Sequence, residues 1–222
     1  MARVEIGLPF ITALILAAGL ATLNSAAPSN EFTRQVVFLG GGLVAIGLFV
    51  WAGKNRLVRF APHLYVLSVA LLVLTRLIGT EVNGAKSWLY LGPLPGFQPS
   101  ELAKLALIMA LAAALHERPI RRITDYLRLG ALVLPPVGLV LIEPDLGSAL
   151  VLTAIAAGMV LVRGVPWRQL LVLLVLVGVA VPTVLLPNLK PHQVERLVSF
   201  LDPDADPQGS GYQVIQSTIA VG

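Results

Sequence analysis

Long apolar runs dominate this chain of 222 residues and restrict it to a membrane environment. A transmembrane helix needs about 20 mainly apolar residues, with a usual range of about 17 to 25. Only 13% of the residues are charged and the mean hydropathy is +0.83, so a soluble protein of this composition could not cover its surface with polar groups. The sequence therefore predicts an all-α fold, a polytopic bundle of transmembrane helices. The predicted spans lie at 7–23, 35–53, 62–79, 100–116, 127–142, 148–162 and 167–186, seven in all.

The fifth and sixth predicted spans come from one apolar run, residues 127–162. Glu-Pro-Asp-Leu-Gly at 143–147 interrupts this run near its middle. Two charges, a proline and a glycine are unfavourable at the centre of a continuous helix that faces lipid. We therefore expect two short spans joined by a polar turn, and a single long, broken helix is the alternative.

The distribution of basic residues indicates how the bundle is oriented, because cytoplasmic loops of membrane proteins carry an excess of Lys and Arg. With the N-terminus in the cytoplasm, ten of the sixteen basic residues lie on the inner side, against three of the twelve acidic residues. We expect a multi-pass protein of the cytoplasmic membrane with this orientation. The net charge of +4 could suggest nucleic acid, but the sorting of the charges by loop argues against such a partner.

Residues 187–212 form the largest polar segment and are expected outside the membrane. Apolar residues in this segment follow the i, i+3, i+4, i+7 spacing of one helix face, which predicts an amphipathic helix on the outer surface: Val194, Leu197, Val198 and Leu201. A further apolar run is still building at Gly222. We therefore expect residues 1–222 to be a single membrane domain, the N-terminal part of a longer bundle.

Seven ionisable residues are predicted near the outer end of the bundle: Arg76, Glu81, Lys86, Glu101, Lys104, Glu143 and Asp145. Ionisable groups at the edge of the hydrocarbon are costly and by default mark a site. Two helices are predicted to begin at the same level, one at Pro99 and one close to Asp145. Helix N-termini favour anions, phosphate included, and nearby lysines strengthen that field. The pattern predicts a site for a lipid-linked phosphate.

Several of these residues also have a purely structural explanation, which the sequence leaves open. Glu101 and Lys104 have the spacing of an ion pair within one helix. Arg76 could extend its side chain to the lipid headgroups, and Asp145 could be a helix N-cap.

The chemistry of these residues leaves three classes of function open. A glycosyltransferase could act on a lipid-diphosphate donor at the outer surface, and a transporter or flippase could guide a charged headgroup across the membrane. A non-catalytic scaffold could bind partner helices through the small residues Gly40-Gly41-Gly42. A transporter is expected to distribute polar residues through the depth of the membrane. Because the ionisable residues here cluster at one end, we favour the enzyme.

Three motifs resemble those of a known family. GAKSWLYLG…FQPSELAKLA at 84–106, PDLGSALV at 144–151 and LDPDADPQGSGYQVIQS at 201–217 are similar to the SEDS proteins, the RodA and FtsW group. The order of the motifs matches as well, and the loops are closer to RodA. The resemblance implies a ten-helix bundle in the bacterial cytoplasmic membrane, of which about seven spans are present here. It also implies that the aspartate essential to the family lies beyond Gly222.

The function that this resemblance implies is that of a peptidoglycan glycosyltransferase. Members of the family polymerise lipid II, an undecaprenyl-pyrophosphate-linked disaccharide pentapeptide, at the outer face of the membrane, and they act with a class B penicillin-binding protein. For this chain we expect a role in cell elongation and shape, with a lipid II flippase as the alternative. A divalent cation, Mg or Mn, could accompany the pyrophosphate, but the sequence has no visible metal-ligand spacing and we assign no metal ligand.

The family's functional residues can be carried over where the motifs match. Asp145 of the PDLG turn becomes the catalytic candidate. The substrate-binding candidates are Lys86, Gln98, Ser100, Glu101 and Lys104 from the first motif, together with Arg76 from the physical argument. The three cations would counter the charge that grows on the pyrophosphate as it leaves. The general base would be the later aspartate.

Overall fold

The computed structural model describes residues 7–26, 29–82, 85–90, 96–117, 123–164 and 212–221, with isolated positions between 175 and 198. The predicted span 167–186 and the predicted amphipathic helix of the outer loop lie outside the continuous described ranges. The described elements are α1 Gly7–Ala26, α2 Ser29–Ile78, β1 Thr80–Val82, β2 Ala85–Trp88, α3 Pro99–Glu117, α4 Ile123–Ile142, α5 Leu146–Arg163 and α6 Tyr212–Val221. Within these ranges, five helices are long and apolar enough to cross a membrane.

The chain divides into two compact units, Met1–Leu57 and Val58–Gly222. In the first unit, α1 and the beginning of α2 expose large apolar side chains, such as Leu8 at 73% and Trp51 at 74% of their full accessible surface. A helix that is apolar all round is typical of a membrane span. The composition of this unit therefore suits direct contact with lipid.

The α2 helix differs from the prediction, because one helical segment replaces two spans and the loop between them. Residues 29–78 are helical with a single break at Gly53, which has a φ of +69° and a ψ of 162°. Glycine adopts such a positive φ without steric cost. The residues that follow it include the good helix formers Lys, Arg and Leu, so the helix resumes at once. The break falls at the end of the predicted span 35–53, and the residues between it and the predicted span 62–79 are helical.

The interrupted apolar run is divided where the sequence predicts. The α4 helix ends at Ile142 and α5 begins at Leu146, so residues 143–145 form a turn between two helices. Backbone hydrogen bonds hold this turn: the Glu143 N–H donates to the Leu139 carbonyl over 3.0 Å, and the Asp145 N–H donates to the Val140 carbonyl over 3.2 Å.

The second unit has an apolar core to which four helices contribute. The α3 helix contacts both α4 and α5, and its buried residues recur every three or four positions, which places them on one face. The core comprises Leu72 of α2, Ala103, Leu107, Leu111 and Leu115 of α3, Leu129 and Val140 of α4, and Ala149, Leu152 and Ala156 of α5. This packing brings the first turns of α3 and α5 to the same end of the unit.

A small β-element, which was not predicted, leads from α2 to α3. Strands β1 and β2 pair antiparallel, with Glu81 opposite Lys86. Just after β2, Leu89 and Phe97 exchange two backbone hydrogen bonds of 2.8 Å. The residues at 83 and 84 are Asn-Gly, the strongest short-range hairpin signal, so the sequence did contain a cue for this hairpin.

A hydrogen bond between α2 and α4 compensates for a proline inside α4. In an α-helix the carbonyl of residue i accepts from the N–H of residue i+4, so the Leu132 carbonyl would need the N–H of residue 136. That residue is Pro136, which has no N–H. Tyr65 of α2 donates its phenolic O–H to the Leu132 carbonyl instead, over 2.9 Å. This bond joins the second part of α2 to the middle of α4.

We predict that Tyr65→Phe lowers the free energy of unfolding by about 1 to 3 kcal/mol, because it leaves the partly buried Leu132 carbonyl without a donor. The matched control is Tyr212→Phe, which removes a phenolic O–H from a side chain that is 53% exposed. Thermal unfolding of both variants in detergent measures the difference. Equal shifts in the two melting temperatures would contradict the compensating role of Tyr65.

Candidate functional site

Asp145 joins the starts of two helices. Its Oδ1 accepts a hydrogen bond of 3.0 Å from the backbone N–H of Ser148, which makes Asp145 the N-cap of α5. Its Oδ2 accepts a hydrogen bond of 3.1 Å from Nε2 of Gln98, the residue that precedes α3. The capping alternative for Asp145 is therefore confirmed. The same carboxylate also contacts a second predicted site residue, which lies 47 positions earlier in the chain.

A pair of serines extends this junction. The Ser100 hydroxyl, in the first turn of α3, lies 3.5 Å from the Ser148 hydroxyl, in the first turn of α5. Ser100 is only 1% exposed, so the two first turns are in close contact. Gln98, Ser100 and Asp145 are thus brought together as the sequence predicts, and Ser148 is a member of the junction that the prediction did not include.

Glu143 lies in the same turn as Asp145 and is buried. Its side chain is 1% exposed, and its Oε1 has no hydrogen-bond partner. Burial and then the nearby negative charge of Asp145 raise the pKa of Glu143 from 4.5 to about 7, against the opposing effect of the Arg76 guanidinium. Glu143 was placed near the outer end by the sequence, but its burial was not predicted and it was not among the site candidates.

The predicted cations occupy different positions around this junction. Arg76, in the last turn of α2, is exposed and close enough to Glu143 to favour ionisation of that carboxyl. Lys86 of β2 donates a hydrogen bond of 3.1 Å from Nζ to the backbone carbonyl of Leu77. A cation on the final carbonyls of a helix is favourable because the dipole is negative there. Arg76 and Lys86 are thus both held at the C-terminal end of α2.

Lys104 pairs with Glu101 one turn earlier on α3, with 2.5 Å between Nζ and Oε1. The alternative of an ion pair within one helix is therefore confirmed. Lys104 is 22% exposed and Glu101 is 59% exposed, so the pair lies at the edge of the packed region. Among the described residues, neither of the two side chains forms a hydrogen bond with Asp145. Lys104 lies about 6 Å along the helix from Ser100, at a rise of about 1.5 Å per residue.

A preformed cation site is not found in the part of the chain that the structure describes. There, no three side chains of His, Cys, Asp or Glu come together in a group that could hold a metal ion. A divalent cation that accompanies a diphosphate stays a prediction, and we assign no residue to it.

The family model described as "Cell cycle protein", which covers FtsW, RodA and SpoVE, matches residues 1–222. The chain belongs to the FtsW/RodA/SpoVE family. It is 38% identical to the probable peptidoglycan glycosyltransferase FtsW of Neisseria gonorrhoeae, over 86% of this chain and 49% of that protein. It is 35% identical to the protein of the same name from Aeromonas salmonicida, over 100% of this chain and 56% of that protein. The chain thus spans about half the length of these curated relatives.

Two solved structures resemble this chain over all or most of its length. One is a peptidoglycan synthase complex that coordinates polymerization and crosslinking, with 50% identity, a TM-score of 0.84, and coverage of 100% of this chain and 66% of that chain. Another is the rod shape determining protein RodA of Thermus thermophilus, with 46% identity, a TM-score of 0.70, and coverage of 80% and 60% respectively. The SEDS resemblance and the polytopic helical bundle that the sequence predicts are confirmed.

In this family member the junction has the features of an anion site. The first turns of α3 and α5 meet there, and the partial positive charge of helix N-termini attracts negative charge. Arg76 of α2 and Lys86 of β2 add positive charge, while Glu143 and Asp145 add acidic groups. The balance between these charges therefore depends on whether Glu143 carries a proton.

We predict that the stability of the protein contains a pH-dependent contribution from Glu143. The folded state holds this proton up to about pH 7, whereas the ordinary pKa of the carboxyl is 4.5. This contribution to the free energy of unfolding should therefore be fully present below about pH 4.5 and should be lost as the pH rises through about 7. Each unit between the two pKa values of Glu143, unfolded and folded, corresponds to about 1.4 kcal/mol. The free energy of unfolding therefore falls by up to about 3 kcal/mol.

The side chain introduced by Glu143→Gln cannot ionise. The melting temperature of this variant, relative to that of the wild type, should therefore be higher at roughly pH 8 than at roughly pH 5. Glu81→Gln removes an exposed carboxyl at the same end of the unit and is the matched control. If the difference in melting temperature between Glu143→Gln and the wild type is the same at these two pH values, the contribution from Glu143 is ruled out.

Proposed function

We propose that this protein is a peptidoglycan glycosyltransferase, which polymerises lipid II into glycan strands at the outer face of the cytoplasmic membrane. The observation that carries the proposal is the junction of α3 and α5, where Asp145 binds both Gln98 and the backbone of Ser148. A diphosphate leaving group needs an environment that stabilises its growing negative charge. Two helix N-termini with cations beside them provide such an environment. The names of the family relatives support the same chemistry.

In this proposal the chain's own residues bind and orient the donor. Arg76, Lys86 and Lys104 counter the charge of the diphosphate as its bond to the sugar breaks. Glu101 fixes the position of Lys104 through their ion pair. A Mg²⁺ or Mn²⁺ ion bound by the diphosphate oxygens would supply further positive charge. The proton of the acceptor hydroxyl would go to the aspartate that the family resemblance implies beyond Gly222.

Asp145 can contribute in two ways, which a pair of variants separates. Its carboxylate fixes the start of α5, and its negative charge orients the donors around it. Asn is as good an N-cap as Asp, and the Gln98 amide can rotate to match it, so Asp145→Asn keeps the geometry and removes the charge. Asp145→Ala removes both.

We predict that Asp145→Asn folds with near wild-type stability but loses at least about tenfold in polymerisation, and that Asp145→Ala is also destabilised by about 1 kcal/mol. Lys104→Ala should lose on the order of 100-fold, the effect of removing one group that stabilises transition-state charge. Arg34→Ala breaks a comparable ion pair with Glu31, outside the site, and is the control. The measurement is glycan formation from purified lipid II by the full-length gene product in liposomes.

The same liposomes distinguish the enzyme from a flippase. A flippase would move a dye-labelled lipid II headgroup across the bilayer without forming polymer. That result, with wild-type polymer formation absent, would overturn the proposed activity.

We further propose that the activity serves cell elongation and shape, with a class B penicillin-binding protein as partner and the N-terminus in the cytoplasm. The identity of 46% to a RodA supports elongation, whereas the curated relatives carry the name FtsW, which suggests division. The neighbouring synthase complex supports an assembly in which polymerization and crosslinking are coordinated.

Depletion of the protein in its source bacterium tests the cellular role. We predict that depleted cells become round, because side-wall synthesis stops while division continues. Microscopy with fluorescent labelling of new cell wall measures the change. Long filaments without septa would assign the protein to division instead.

A further inference from the structure

Glu143 has a buried position that the proposed reaction does not use. It lies between the end of α4 and the start of α5, and only 1% of its surface is exposed. Its Oε1 is fully buried and has no hydrogen-bond partner. A buried carboxylate without a donor is costly, whereas a buried carboxylic acid is much less so. The geometry therefore favours the protonated form of this side chain.

The charged groups at this end of the unit come from the turn itself and from α2, β1, β2 and α3. Asp145 lies two residues beyond Glu143 and is negative, and Arg76 acts on the turn from the last turn of α2. The other described charges at this end are Glu81 of β1, Lys86 of β2, which is bound to the Leu77 carbonyl, and the ion pair of Lys104 with Glu101 on α3. Arg76 forms no ion pair or hydrogen bond with any residue that the structure describes. Among the described cations at this end, Arg76 is therefore the one without such a partner, and its guanidinium is available to a ligand.

We propose that Glu143 is a positioning residue that must keep its proton for the site to bind a diphosphate. This inference rests on the proposed function. While Glu143 is neutral, Arg76 has no anionic partner at close range and can bind diphosphate oxygens. Release of the proton to solvent leaves two carboxylates, Glu143 and Asp145, in one turn. Arg76 is then drawn toward Glu143, and the added negative charge repels the ligand.

The expected consequence is a loss of diphosphate affinity as the pH rises through the region in which Glu143 ionises. One added unit charge at about 4 Å weakens binding by at least roughly fivefold even with water-like screening, and by more under an interior dielectric. Because Glu143→Gln is neutral at every pH, it should bind with the same affinity at roughly pH 6 and roughly pH 8. The wild type should match it at the lower pH and bind more weakly at the higher pH. Glu81→Gln should keep the wild-type response.

The binding experiment uses the full-length protein in nanodiscs and a short-chain polyprenyl diphosphate as the probe. An equal loss of affinity with pH in the wild type and in Glu143→Gln would overturn the inference. If the wild type binds no diphosphate at either pH, the proposed function fails, and the inference about Glu143 fails with it.

An infrared measurement tests the proton itself and does not depend on activity or on diphosphate binding. With ¹³C-labelled glutamate, the wild type should show the C=O stretch of a protonated carboxylic acid at roughly pH 6, and this band should disappear as the pH rises through about 7. The band should be missing in Glu143→Gln. Its absence from the wild type at the lower pH would overturn the inference even if diphosphate binds, and so separates this failure from that of the proposed function.

Discussion

The two hydrogen bonds that Asp145 accepts determine the geometry of the candidate site. One comes from the backbone at the start of α5 and the other from the side chain before α3, so a single carboxylate sets the distance between two helix N-termini. The apolar core below brings the helices together, but it does not by itself fix their ends. The orientation of the free N–H groups, and the position of Ser100 against Ser148, therefore depend on this contact.

Local features of the sequence predicted much of this arrangement. The charges and the proline at 143–147 correctly indicated a turn, because such residues are unfavourable inside an apolar helix whatever surrounds them. Pro99 correctly indicated a helix start. The helical conformation of residues 54–61 was missed because a charged stretch between apolar runs resembles a loop, while its residues have good helix propensity. The contact of Gln98 with Asp145 and the burial of Glu143 depend on tertiary packing, which no local pattern encodes.

The three predicted cations turn out to differ in what they can offer an anion. Lys104 is already paired with Glu101, and Lys86 already donates to the Leu77 carbonyl. A ligand at either lysine must compete with an existing partner or join it. Arg76 has a planar guanidinium that suits two phosphate oxygens at once, and it faces a carboxyl whose charge depends on pH. The electrostatics of the junction are thus adjustable, because they depend on one buried acid.

The bond from Tyr65 to the Leu132 carbonyl links the interior of the bundle to this junction. Pro135 and Pro136 have no N–H group, so α4 lacks two backbone hydrogen bonds near its centre and bends most easily there. The phenolic O–H of Tyr65 joins this part of α4 to α2, whose last turn contains Arg76. Because this bond ties the two helices together, a change in the curvature of α4 would require either that α2 move with it or that the bond break.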